Sequence, residues 1–215
     1  MSNKKDIVIV GAGGFGREVL VLLKTINSEA SVYNILGFID DNVPKNTKIH
    51  DQKVLGNVAF LKNMSQRPKV VFAIGDSEVK KQLATLLVGF EFETLIHPSI
   101  DIQSFQNIDI GKGVILCEGN LLTTDITIED FVLINISCTV GHDAVLKKYS
   151  SIMPGCNISG EVTVGECVFV GTGTKIVNQM QIGNGAIIGA GSVVAKDIPA
   201  NCTAVGVPAK PIKFN

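Results

Sequence analysis

Three side chains in this 215-residue chain could serve as an imidazole base. His50 lies in the polar stretch TKIHDQK and reads as solvated. His97 precedes Pro98 and reads as structural. His142 stands in NISCTVGHD, directly before Asp143. An imidazole titrates near neutrality, and a neighbouring carboxylate raises its basicity or fixes its tautomer. Such a pair can take a proton from an attacking group. Metal chemistry is not expected, because the histidines are dispersed and none of the five cysteines forms a C-x-x-C pair. The cysteines read as small buried thiols in a reducing compartment.

A second candidate is the run GAGGFG, Gly11 to Gly16, which follows the apolar segment DIVIV. Gly11 permits a tight turn, Gly13 lets backbone approach a ligand, and Gly16 lets a helix pack close to a sheet. The helix start then offers free N–H groups and a positive dipole end to a phosphate. The next apolar run, ILGFI, ends in Asp40 and Asp41. That pair has three readings: contacts to a nucleotide's base and ribose, the ribose-binding acid of an NAD domain, or a loop cap. Nothing downstream supplies a nicotinamide domain. Lys80 and Lys81 sit early in an expected helix and read as a solvated face, with reach to a phosphate as the other reading.

These residues need scaffolds of two kinds. Strands at 6–10, 35–39, 69–74 and 92–96 and helices over 17–27 and 77–87, with Ser77 as N-cap, make a Rossmann-like half domain. It is too small for two mononucleotide halves and suits one nucleotide. After Pro98 the texture changes. Every sixth residue from Ile110 to Val194 is Ile, Leu or Val, fifteen positions without a miss. A strict period of six is neither helix nor ordinary strand and marks a parallel β-helix. Glycine recurs at the second place of a hexad, as at Gly111, Gly141 and Gly165. His142 holds a third place, which points outward. The expected division is residues 1–97 for the α/β domain and 98–215 for the β-helix with its tail.

Composition narrows the function. The formal charge of −1 and the absence of tryptophan argue against a nucleic-acid surface. The apolar run near the N-terminus is too short for a signal peptide or membrane span, so a cytoplasmic location is expected.

The hexads, with GVPAK after the last coil, resemble the left-handed β-helix acyltransferases. GAGGFG, the IDD at the second strand and AIGD further on narrow the resemblance. The chain is similar to the bacterial sugar acetyltransferases of the sialic-acid O-acetyltransferase and bacillosamine-pathway N-acetyltransferase family, above all those acting on nucleotide-linked 4-amino-4,6-dideoxy sugars. The resemblance implies a homotrimer with acetyl-CoA in the groove between neighbouring β-helices. It implies His142 as catalytic base, with Asp143 supporting it and Asn135 near the acceptor. Ala12, Gly13 and Gly14 would meet the phosphates, Asp40 and Asp41 the base and ribose, and Gly75 would close that pocket. Acetyl-CoA contacts would fall at Ser151, Thr172 and Ala190.

The resulting expectation is an acetyl-CoA-dependent N-acetyltransferase acting on a UDP- or dTDP-linked amino sugar for surface glycan synthesis. A sugar O-acetyltransferase is the alternative with the same chemistry. A non-catalytic nucleotide-sugar scaffold is the alternative without it.

Overall fold

The structure is a computed structural model that describes residues 4–214; Met1, Ser2, Asn3 and Asn215, which bound the two expected domains, lie outside the described residues. The chain begins with β1 (Lys5–Val10), whose last four residues are buried on both faces, as a central parallel strand requires. Helix α1 (Gly14–Glu29) returns the chain to β2 (Tyr33–Ile39), which pairs with β1 in parallel. A β3–β4 hairpin (Lys48–Ile49, Gln52–Gly56), a short α2 (Val58–Lys62) and β5 (Lys69–Phe72) complete a sheet of order β3-β4-β2-β1-β5. Helix α3 (Ser77–Leu86) follows β5. Its N-cap is Asp76, whose carboxylate accepts the Val79 N–H at 3.0 Å. Ser77, expected as the cap, is instead buried with its hydroxyl against the following domain.

β6 (Leu95–Ile96) already belongs to the second architecture, because it pairs in parallel with Ile115–Leu116. From there the chain winds a left-handed β-helix with three flat parallel sheets. Neighbouring coils register at eighteen residues, as in Leu133↔Ser151, Ser151↔Phe169 and Phe169↔Ile187. The period of six is visible in the core, where Ile134, Val140, Leu146, Ile152, Ile158 and Val164 point inward and are essentially inaccessible. Corners turn through left-handed backbone one place after His142 and at the equivalent places, including Asp143 (φ 58), Glu161 (φ 60) and Gly155 (φ 69). The second-place glycines do a different job. A Cβ on Gly141 would lie 2.6 Å from the Gly160 nitrogen of the next coil, so glycine there allows the corners to stack. The last coil ends in an antiparallel hairpin, Cys202–Gly206 with Ala209–Phe214.

The two parts share their cores. Ile7, Val19, Leu23 and Phe38 pack in one cluster with Leu95, Ile115, Cys117 and Leu133 of the first coils. On the α3 side, Phe72 and Phe92 meet Phe131 at 5.6 and 4.8 Å, and Phe131 stacks on Tyr149 at 5.2 Å. All five cysteines are free and buried.

Candidate active site

His142 and Asp143 occupy a corner between the sheet that holds Thr139–Val140 and the sheet that holds Val145–Leu146. The left-handed φ of Asp143 turns its carboxylate back toward the preceding side chain. Imidazole Nδ1 and Asp143 Oδ2 are 2.7 Å apart. A carboxylate only accepts, so Nδ1 is the donor of this pair, and the neutral tautomer it selects leaves the lone pair on Nε2. Both side chains are more than half exposed, at 57% and 59%. Beneath them lies Gly160, one coil on. A Cβ there would fall 2.5 Å from His142 Nε2, so the ring rests on bare backbone. Above lies Asp125, held below the usual carboxylate range by hydrogen bonds from Asn107 and Thr124, with a smaller contribution from His142. The corner therefore presents an oriented base with one open nitrogen.

Thr172 and Ala190 lie on a different corner, after Phe169–Val170 and Ile187–Ile188. Both are exposed and stacked one coil apart, with the Gly191 N–H bonded to the Thr172 carbonyl at 2.8 Å. A whole sheet separates this corner from His142 within one chain. Ser151 departs from its expected place. It has no accessible surface, and its hydroxyl accepts from Lys80 Nζ at 2.8 Å, so α3 covers it and it has no face to offer a coenzyme in this chain. Asn135 is also buried, its Oδ1 bonded by the Ile136 N–H.

In the α/β domain the glycine loop opens α1, which has Gly13 as N-cap, no side-chain cap and no acidic residue in its first turn. Its first N–H groups are thus left for another acceptor. Gly13 and Gly14 are exposed, whereas Ala12 is buried and its N–H donates to Asp40 Oδ2 at 2.7 Å. Asp40 Oδ1 accepts from Asn42 and Val43, and Asp41 Oδ1 accepts from Val58. The acidic pair thus shapes the loops, in accord with the capping reading. Even so, both residues line an open cavity of about 470 Å³ with Lys45, Gly56 and Phe60. A second cleft, about 420 Å³, begins at Gly14 and Arg17 and reaches Glu118 and Ile136. His50 and His97 line that cleft too. Gly75, at the end of β5, faces Met153 of the β-helix.

Two residues take roles that the sequence leaves open or misplaces: Gly160, which with Gly155 is a coil-corner candidate for an oxyanion donor, and Lys80, expected on a solvated face. Gly160 matters through its contact with His142, eighteen residues earlier, a spacing that the period of six already contains. Lys80 is only 2% exposed, not part of a solvated face. The signal was present: Lys80, Leu83, Ala84 and Leu87 fall at helical spacing and are all buried. Lys81 is exposed and pairs with Glu166 at 2.7 Å. Among the described residues no group of three or more His, Cys, Asp or Glu side chains could hold a metal ion.

A left-handed β-helix bearing an oriented imidazole on an open corner defines the hexapeptide-repeat acyltransferase class. Residues 6–87 match the family described as PglD N-terminal domain. The chain is 32% identical over 167 residues to the GDP-perosamine N-acetyltransferase of Escherichia coli O157:H7, covering 76% of this chain and 74% of that protein. The structure is similar to WeeI from Acinetobacter baumannii AYE, with 32% identity, TM-score 0.87, and 97% and 100% of the two chains covered. It is also similar to PerB from Caulobacter crescentus in complex with CoA and GDP-perosamine, with 27% identity, TM-score 0.83 and 99% of each chain covered. The chain belongs to the PglD-type hexapeptide acetyltransferases, a family of nucleotide-amino-sugar N-acetyltransferases.

Proposed function

We propose that this protein transfers the acetyl group of acetyl-CoA to the amino group of a nucleotide-linked 4-amino-4,6-dideoxy sugar, in glycan biosynthesis. The observation that carries the mechanism is the His142–Asp143 pair, with Nδ1 bonded and Nε2 open on an exposed corner. The sugar nitrogen attacks the thioester carbonyl carbon, and Nε2 takes the proton that the nitrogen loses. Collapse of the tetrahedral adduct breaks the C–S bond, and the imidazolium returns its proton to the departing thiolate. Asp143 holds the tautomer and stabilises the imidazolium. Of the two glycines that could offer an N–H to the oxyanion, Gly155 already donates to the Ile136 carbonyl, which favours Gly160 beneath the ring.

Residues 1–97 hold the acceptor and residues 98–215 the donor. The two clefts, one at Asp40 and Asp41 and one starting at Gly14, suit an extended ligand. The base lies between Asp40, Asp41 and Phe60, the diphosphate on Gly13 and Gly14 at the start of α1, and the sugar leads past Gly14 toward Ile136. Thr172 and Ala190 contact acetyl-CoA. Because their corner and the His142 corner are a sheet apart, they come together between subunits, which makes the active form a homotrimer. The buried free thiols fit a cytoplasmic location. No helix among the described residues is long and apolar enough to cross a membrane.

The Escherichia coli relative is a GDP-perosamine N-acetyltransferase and PerB is in complex with GDP-perosamine, so a panel of UDP-, dTDP- and GDP-linked amino sugars is the direct test. Incubated with acetyl-CoA and read by thiol release, one nucleotide class is expected to turn over. No thiol release with any member would overturn the reading.

A further inference from the structure

Lys80 is a charged side chain for which the reaction has no use, yet it is buried at the joint between the two halves of the molecule. It leaves α3 and enters the β-helix, where Nζ donates to the Phe131 carbonyl at 2.9 Å, the Ser150 carbonyl at 3.1 Å and the Ser151 hydroxyl at 2.8 Å. An ammonium has three donors, and all three are used. The acceptors belong to two successive coils. One turn earlier on α3, the Ser77 hydroxyl donates to the Val168 carbonyl of a third coil at 3.4 Å. Stability alone does not explain a lysine here. Burying an ammonium costs several kcal/mol, and an apolar side chain of similar length generally holds a joint as well or better. Three directed bonds supply what an apolar side chain does not, which is one fixed orientation.

What is oriented follows from the chain. α3 starts immediately after β5 and Gly75, at the edge of the sheet that carries the glycine loop. The two coils that receive Lys80 flank the His142 corner along the chain, Phe131 before it and Ser150 and Ser151 after it. We infer that Lys80 is a positioning residue that fixes the acceptor-holding domain in register with the β-helix, so that a nucleotide-linked amine arrives where the acetyl group is presented. The inference rests on the acetyltransferase reading above.

The test compares wild type, Lys80→Met and Ser151→Ala, each with the nucleotide-linked amino sugar and with the same amino sugar free of nucleotide. Wild-type turnover of the linked acceptor checks the reading itself. If wild type turns over nothing, that reading falls on its own account. Lys80→Met is expected to keep its affinities for nucleotide and CoA and its slow rate with the free sugar. Its kcat with the linked sugar should fall at least tenfold, with KM little changed. Ser151→Ala, which removes one of three acceptors, should lose less in the same direction. A purely structural lysine would lower both acceptors' rates together, in proportion to the folded fraction. Equal losses with both acceptors, or an unchanged kcat, would overturn the inference; should Lys80→Met not fold, the linked-to-free ratio in Ser151→Ala decides alone.

Discussion

The α/β domain and the β-helix present their chemistry in opposite ways. In the α/β domain the two carboxylates that follow β2 are turned onto backbone. Asp40 takes the N–H groups of Ala12, Asn42 and Val43, and Asp41 takes that of Val58. What remains for a ligand is mainly bare backbone at Gly13 and Gly14 and the open start of a helix. In the β-helix most of the backbone is used by coil stacking, and the titrating chemistry stands on side chains projecting from corners. Backbone recognises a diphosphate because phosphate oxygens accept from any N–H. Proton transfer needs a titrating group, and only a side chain supplies one at neutral pH.

Four substitutions or conditions break or sharpen this contrast. The largest effect belongs to the scaffold. Ile152→Ala opens a cavity in a fully buried ladder and should cost about 2–5 kcal/mol in denaturant unfolding. Gly160→Ala places a methyl group against Nε2 and should lower turnover on the order of 100-fold while nucleotide and CoA affinities hold, since it displaces the base alone. Asp40→Ala leaves three N–H groups without their acceptor and should cost about 1–3 kcal/mol. It should also weaken nucleotide affinity, and Asp40→Asn, which keeps a carbonyl acceptor, should recover part of both.

The smallest effect is that of pH on the joint. Burial pulls the Lys80 ammonium down to about 7, while the nearby Cys167 and Asp76 work the other way. With the folded value below the unfolded one, the unfolded chain binds more protons between about pH 7 and 10.5, so stability rises with pH across that window. Wild type should gain at most about 1 kcal/mol between pH 7 and 8 relative to Lys80→Met. A gain on acidification would reverse the assignment.

The sequence made the architecture legible because both halves obey short-range rules. A strict aliphatic period of six describes a coil whose neighbours repeat it, and the run from DIVIV through GAGGFG describes a strand–turn–helix by local sterics. His142 was readable for the same reason, since a hexad place fixes which way a side chain points. What stayed hidden was set by contacts between distant parts. Ser151 looks like an exposed coil residue until α3 covers it. Lys80 looks solvated because lysine usually is, even though it shares a helical face with Leu83 and Leu87. Asp40 and Asp41 admit three readings from sequence because a carboxylate's partners lie in loops whose paths no periodicity describes.

The central claim is that one imidazole on a β-helix corner moves the proton while the other domain holds the acceptor. His142→Ala tests it most directly, with thiol release from acetyl-CoA measured beside the melting shifts produced by nucleotide sugar and by CoA. Turnover should fall by about 10²- to 10⁴-fold with both melting shifts preserved. Turnover at the wild-type rate would contradict the account.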